Sequence, residues 1–275
     1  MQPHISHTQQ GFTLLELIMV LVILGVLSSM VAVFIKTPVD AYLDTGRRAA
    51  MSDAADTALR RLSRELRQAL PNSIRSPVPN CIEFIPTRTG ARYRANDIVA
   101  GDGSALDFST IDASFKILST NSSWPADQQI RVGDVVAVYN LGPGMNDAYN
   151  QDNTATVSSV LDGVETTVGI SPKKFPLASP NNRLHVIPGD EPVVAYQCLD
   201  GLLLRRSNHG LANSCPTAVS APARQAVLAK QVASCEFTVG GADLQRSSLV
   251  QLVLTMQNQQ ETVRLYSEVH TSNLP

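Results

Sequence analysis

Between Phe12 and Ile35 the chain reads FTLLELIMVLVILGVLSSMVAVFI, with one ionisable side chain, Glu16. At about 1.5 Å per residue a helix over this run extends roughly 36 Å, enough to cross a hydrocarbon core of about 30 Å with some tilt. No comparable run occurs elsewhere in the 275 residues, so one spanning segment and one soluble body is the simplest organisation. The run exceeds the roughly 7–15-residue core of a secretory signal, and no small-x-small site closes it, which argues against complete removal as a signal peptide. A plain signal anchor fits the length but leaves Glu16 without a role.

A carboxylate inside lipid costs a few kcal/mol on insertion scales and marks a functional position that needs a partner. The segment offers none. Gly11-Phe12-Thr13-Leu14-Leu15-Glu16-Leu17 resembles the type IV prepilin processing motif, G-F-T-L-x-E, ahead of its apolar stretch. The resemblance implies that an inner-membrane prepilin peptidase cuts after Gly11 and methylates the new amine of Phe12. It also implies that Glu16 pairs with the N-terminal amine of a neighbouring subunit during assembly. The physics agrees: a buried carboxylate beside an ammonium escapes the cost of standing alone, and removing either partner is strongly destabilising. The leader, MQPHISHTQQG, departs from the usual pattern in carrying no Lys or Arg; only His4, His7 and the terminal amine are candidate cations. Orientation therefore rests on the motif rather than on a positive-inside count.

Beyond Ile35, Pro38 is positioned to kink the helix as it leaves the bilayer. Met51, Ala55, Ala58, Leu62, Leu66 and Ala69 then recur at spacings of three and four, predicting an amphipathic helix that ends near Leu70 because Pro71 follows. Arg60, Arg61, Arg64 and Arg67 line the opposite surface and read as a solvated face. No aromatic residues interleave with them as a nucleic-acid stripe would require, and a net charge of -2 supplies no global basic field.

After Pro71 the period becomes strand-like. Candidate strands are 81–86, 105–110, 114–120, 135–140, 155–160, 166–171, 184–188, 193–198, 202–206, 235–239, 249–256 and 262–269, punctuated by Gly, Pro, Asn and Asp. Leu199-Asp200-Gly201 predicts a tight hairpin, and Gln257 to Gln260 a looser one. The helical and strand periods predict an α+β fold class, and the resemblance implies its type IV pilin-like form: a long N-terminal helix packed on a mainly antiparallel body. Residues 1–11 form the leader, 12–35 the transmembrane and assembly half of the helix, 36–70 its amphipathic half, and 71–275 a periplasmic body. RLSRELRQALPNSIR followed by CIEFIP is similar to minor pilins of the mannose-sensitive haemagglutinin (MSHA) system, of the MshO type. VVAYQCLDGLLLRR and VLAKQVASCEF resemble large minor pilins and the J-type pseudopilins of type II secretion.

All four cysteines, Cys81, Cys198, Cys215 and Cys235, follow the span, and an even count in a periplasmic body fits two disulfides. Three pairings are open. A loop of moderate length favours Cys198 with Cys215, leaving Cys81 with Cys235. Zinc is disfavoured by wide spacings and the lack of a C-x-x-C pair. Residues 144–154 gather Asp147, Asn150, Asp152 and Asn153, a weak candidate Ca²⁺ loop without EF-hand spacing that reads better as a solvated turn. His185, His209 and His270 are scattered, no phosphate loop is present, and nothing points to an enzyme.

The expected function is a minor pilin of an MSHA-like type IV pilus, incorporated at or near the tip to initiate or prime assembly, with surface adhesion as a further role. Its partners are other minor and major pilins through the N-terminal helix, the prepilin peptidase and the inner-membrane assembly platform. The alternatives are a J-type pseudopilin, a tip adhesin or DNA receptor, and a membrane-anchored periplasmic enzyme. Before assembly the chain is expected to sit in the inner membrane by a single pass with its body in the periplasm, and afterwards in a filament.

Overall fold

The computed structural model describes residues 11–144, 146–211, 214–216, 218, 221–240 and 247–275, with the backbone alone at residues 32 and 33. The leader up to residue 10, including His4 and His7, lies outside the described residues. The chain divides into two units between Ala50 and Met51.

Within the first unit runs most of α1 (Leu14–Arg67), whose helical assignment passes through Pro38 without a break. From Leu14 to Ile35, residues 32 and 33 aside, apolar side chains are exposed on every side of it, the pattern of a helix whose solvent is lipid or other helices. It is the one helix among the described residues long and apolar enough to cross a membrane. Two side-chain hydroxyls along this part are satisfied locally. Ser29 Oγ donates to the Val26 carbonyl at 2.7 Å and Thr45 Oγ1 to that of Ala41 at 2.8 Å, so neither hydroxyl needs water.

Among the described residues the second unit contains the last turns of α1 and fourteen strands. In chain order these are β1 (Arg75–Val78), β2 (Cys81–Phe84), β3 (Thr89–Arg92), β4 (Asp112–Ile117), β5 (Val135–Val138), β6 (Thr154–Leu161) and β7 (Thr166–Lys173). There follow β8 (Arg183–Ile187), β9 (Val194–Leu199), β10 (Leu202–Ser207), β11 (Arg224–Lys230), β12 (Val232–Gly240), β13 (Ser247–Asn258) and β14 (Glu261–Ser272). They form sheets of order β1-β2-β9-β10-β11, β12-β13-β14 and β3-β8-β5-β6-β7-β4. Every strand pairing is antiparallel.

The first two sheets cover the helix. Met51, Ala55, Ala58, Leu59, Leu62 and Leu66 are buried against Ile82, Phe84, Val194, Tyr196, Leu203, Phe237, Leu252 and Leu254. The three-and-four spacing thus marks the face that packs, and Arg60, Arg61, Arg64 and Arg67 on the other side are exposed. The helix stops at Arg67, slightly before the expected Leu70. Leu70 instead donates its N–H to the Ile85 carbonyl at 2.8 Å.

The third sheet departs from a single β body wrapped on the helix. Its six strands all fall between β2 and β9 in the chain, and they close on themselves. Tyr93 bridges Ile117, the Arg94 N–H donates to the Lys116 carbonyl at 2.8 Å, and the Leu118 N–H donates to that of Arg92 at 2.9 Å. Closure removes the sheet's free edges and encloses a second core of Tyr93, Phe115, Ile117, Val136, Val138, Val157, Val168, Phe175, Leu184 and Val186. Leu70, Ile85, Ala137, Ala148 and Ile187 form a small apolar joint between this barrel and the helix-bearing sheets.

Strands occupy eleven of the twelve candidate runs, with shifts of a residue or a few; 81–86, for example, forms β2. Residues 105–110 do not pair. There Asp107 accepts from the Ser109 N–H and from the Ser109 and Thr110 hydroxyls, local bonds that compete with a ladder. Strands β1, β3 and β11 carry no clear alternation and were not anticipated. The Asp200-Gly201 turn has both residues at positive φ, as a two-residue hairpin requires. Gln259-Gln260 makes an equally tight turn, because Asn258 pairs directly with Glu261.

Candidate functional site

The Gly11–Glu16 motif folds as a helix entrance. Thr13 precedes α1, its hydroxyl accepts the Glu16 N–H at 3.2 Å, and its carbonyl accepts the Leu17 N–H at 3.2 Å. This is the N-cap geometry, and T-x-x-E is the spacing of a capping box, so Thr13 was identifiable as a structural member of the motif from sequence alone. Capping places Glu16 in the first turn, where the free N–H groups favour a carboxylate. The side chain of Glu16 is exposed, at the start of an apolar surface that is exposed too.

Gly11 and Phe12 lie ahead of the cap, outside any helical hydrogen-bond ladder, and Phe12 is 85% exposed. A Cβ placed on Gly11 would meet nothing within 4 Å. No contact among the described residues therefore demands glycine there; a demand for a small residue would come from a protease that must approach the backbone closely. The arrangement presents an accessible peptide bond, a terminus released by cutting it, and a carboxylate on the next turn.

The cysteines pair otherwise than expected. Cys81 is bonded to Cys215 and Cys198 to Cys235, with Cα separations of 6.2 and 6.1 Å; the pairing of Cys198 with Cys215 and Cys81 with Cys235 is corrected accordingly. The pleat explains the outcome. Cys81 sits directly opposite Gln197 in the β2–β9 ladder, so Cys198, one residue on, points to the other face. Ile82, Phe84, Val194, Tyr196 and Cys198 face the helix and Cys235 of β12. Cys81 and Ala195 face away, towards Cys215. Cys198 and Cys215 lie on opposite sides of a sheet.

That outer face holds a buried polar cluster no sequence pattern announced. Glu83, fully buried, accepts Arg75 Nε at 2.8 Å and the Cys215 N–H at 3.0 Å, and lies 2.9 Å from His209 Nε2. Burial alone would raise its pKa. The bonds from His209, the Cys215 amide and Arg75 outweigh burial and hold the carboxyl below its ordinary value. Arg75 also lies over the Tyr149 ring, 3.6 Å from its centroid. On the helix face, Arg205 of β10 joins Glu65 of α1 at 2.9 Å to Glu191 at 2.8 Å.

The acidic loop has a structural use. Asp147 caps the short 3₁₀ turn Ala148–Asn150 through the Tyr149 N–H at 3.0 Å, and its carbonyl accepts the Asp152 N–H. Asn153 is buried and donates to the Val138 carbonyl. Among the described residues no group of three or more His, Cys, Asp and Glu side chains is placed to hold a metal ion.

A family model, the prokaryotic N-terminal methylation motif, matches residues 6–32. The match supports a type IV pilin or pseudopilin signal read by prepilin peptidase, and the long helix followed by antiparallel sheets is consistent with a type IV pilin-like α+β fold. No curated protein and no solved structure matches the chain.

Proposed function

We propose that the chain is a minor subunit of an MSHA-like type IV pilus, of the MshO type, cut after Gly11, N-methylated at Phe12 and placed at or near the filament tip to initiate or prime assembly. The observation that carries this reading is the capped helix start, which sets Glu16 one turn from the scissile bond on an apolar surface exposed all round. In lipid such a carboxylate needs a cation. A neighbouring subunit's N-terminal amine supplies one at the same depth, so the pair acts as a register check when the helix leaves the bilayer for the filament.

The body favours a low-copy subunit. A closed six-stranded barrel added to the helix-bearing sheets enlarges a unit that, in a bulk pilin, must repeat along a tightly packed fibre. Two disulfides suit a body held in the oxidising periplasm before assembly. The chain is the peptidase's substrate and has no chemistry of its own, and surface adhesion is a further role of the tip.

Mass spectrometry of the mature protein is expected to find N-methyl-Phe12 as its first residue; an intact Met1 or a different terminus would overturn the assignment. Glu16→Ala is expected to leave cleavage intact and abolish recovery of the subunit in sheared filaments. Normal incorporation of that variant would remove the pairing role. Deleting the gene should cost surface pili; loss of protein secretion with pili intact would indicate the J-type pseudopilin reading instead.

A further inference from the structure

The pairing of β3 with β8 sets two arginines against each other. Arg92 stands directly opposite Arg183, while the neighbouring pair, Ala91 and Leu184, packs into the barrel core. By alternation both guanidinium groups emerge on the outside, where both residues are exposed. Like charges directly opposed in an antiparallel pair are destabilising, yet neither side chain has an ion-pair or hydrogen-bond partner among the described residues.

Beside the two arginines is a hollow of about 460 Å³, within the size range of small-ligand sites. Gly90, opposite His185, contributes no side chain and leaves it open. Leu118 and Trp124 line it as well. Trp124 is held in place: its carbonyl accepts Gln129 Nε2 at 2.9 Å, its N–H donates to the Asn121 carbonyl at 3.2 Å, and its ring packs partly on the barrel core. Burial, with the Arg183 charge beside it, pushes His185 down to about 4, so at neutral pH the ring is uncharged and offers one donor and one acceptor.

We propose that this outer face of the barrel binds an acidic sugar, a pyranose bearing a carboxylate, with the carboxylate between Arg92 and Arg183 and the ring against Trp124. Two guanidinium forks match a carboxylate, the flat C–H face of a pyranose matches an indole, and neutral His185 suits a ring hydroxyl. An acidic peptide supplies the carboxylate without the flat C–H face. The inference stands on the barrel alone and does not depend on the filament reading.

Trp124 is the single tryptophan of the chain, so its fluorescence reports on the hollow directly. The full-length protein in detergent, titrated with trigalacturonate, is expected to show a saturable change in emission. The neutral trisaccharide maltotriose and triglutamate should give none over the same range. Arg183→Gln, and the double variant Arg92→Gln/Arg183→Gln, should weaken binding about tenfold or more. Removing the like-charge pair should leave the far-ultraviolet circular dichroism unchanged and the melting temperature unchanged or raised, which separates lost binding from lost folding. No saturable change with trigalacturonate would overturn the proposal. So would equal binding of maltotriose or triglutamate, or undiminished binding by the folded double variant. Each result leaves the Glu16 incorporation assay untouched, so either idea can fail alone.

Discussion

Replacing Glu83 by Gln changes one atom and should disturb three elements. Both carboxylate oxygens are in use: one faces Arg75, the other the Cys215 N–H and His209. A carboxamide has one acceptor oxygen, so its NH₂ group must face a donor on one side or the other. The Arg75 guanidinium, about one-third exposed, loses its anion. Removing one partner of a buried charged pair costs about 3–5 kcal/mol. At about 2–4 °C per kcal/mol for a body of this size, the melting temperature should fall by roughly 6–20 °C. The pH dependence supplies a second readout. Glu83 titrates below its ordinary value of 4.5 in the folded protein. Its contribution is therefore complete above that value and is lost as pH falls through the lower, native one. Scanning calorimetry of both proteins across the acid range should show the gap between them narrowing below about pH 4.5. A variant within about 1 kcal/mol of the parent at pH 7, or one that keeps the parent's acid dependence, would refute this account of the cluster.

Non-reducing peptide mapping should recover Cys81 linked to Cys215 and Cys198 linked to Cys235; a peptide joining Cys198 to Cys215 would contradict the sheet-face argument. By chain entropy, removing the 37-residue link with Cys198→Ser/Cys235→Ser should cost about 4 kcal/mol, read as a lower denaturation midpoint; a loss below about 1 kcal/mol would count against a structural role. Gly189→Ala should destabilise the body by about 1–3 kcal/mol, because a Cβ there would stand 1.9 Å from the Gly133 carbonyl oxygen and the obstacle is backbone. An unchanged melting temperature would mean that the two segments, just before β5 and just after β8, separate more easily than their packing suggests.

What the sequence determined by itself is what adjacent residues decide among themselves. The apolar helix follows from a 24-residue run in which Glu16 is the one ionisable side chain, the resemblance to a processing motif from six residues, and the buried helix face from Met51 to Leu66 from a three-and-four spacing. The Asp200-Gly201 turn belongs with them, since its backbone angles are local. Tertiary structure decided whatever depends on which strand lies beside which, and on which side of it. A single step of register sends Cys81 and Cys198 to opposite faces, and no spacing along the chain records that parity. Barrel closure joins residues about Tyr93 to residues about Ile117 through a bridge outside the regular strands, so it leaves no alternating pattern to find. Glu83, read as one polar residue in CIEFIP, became a buried hub only when Arg75, His209 and Cys215 arrived from elements up to 132 residues away. The opposed arginines Arg92 and Arg183 are likewise unremarkable in sequence and meet only across the β3–β8 ladder. Local chemistry sufficed for the long apolar helix, because a lone helix satisfies its own backbone. The body satisfies its backbone between distant strands, and there the fold had to choose the partners.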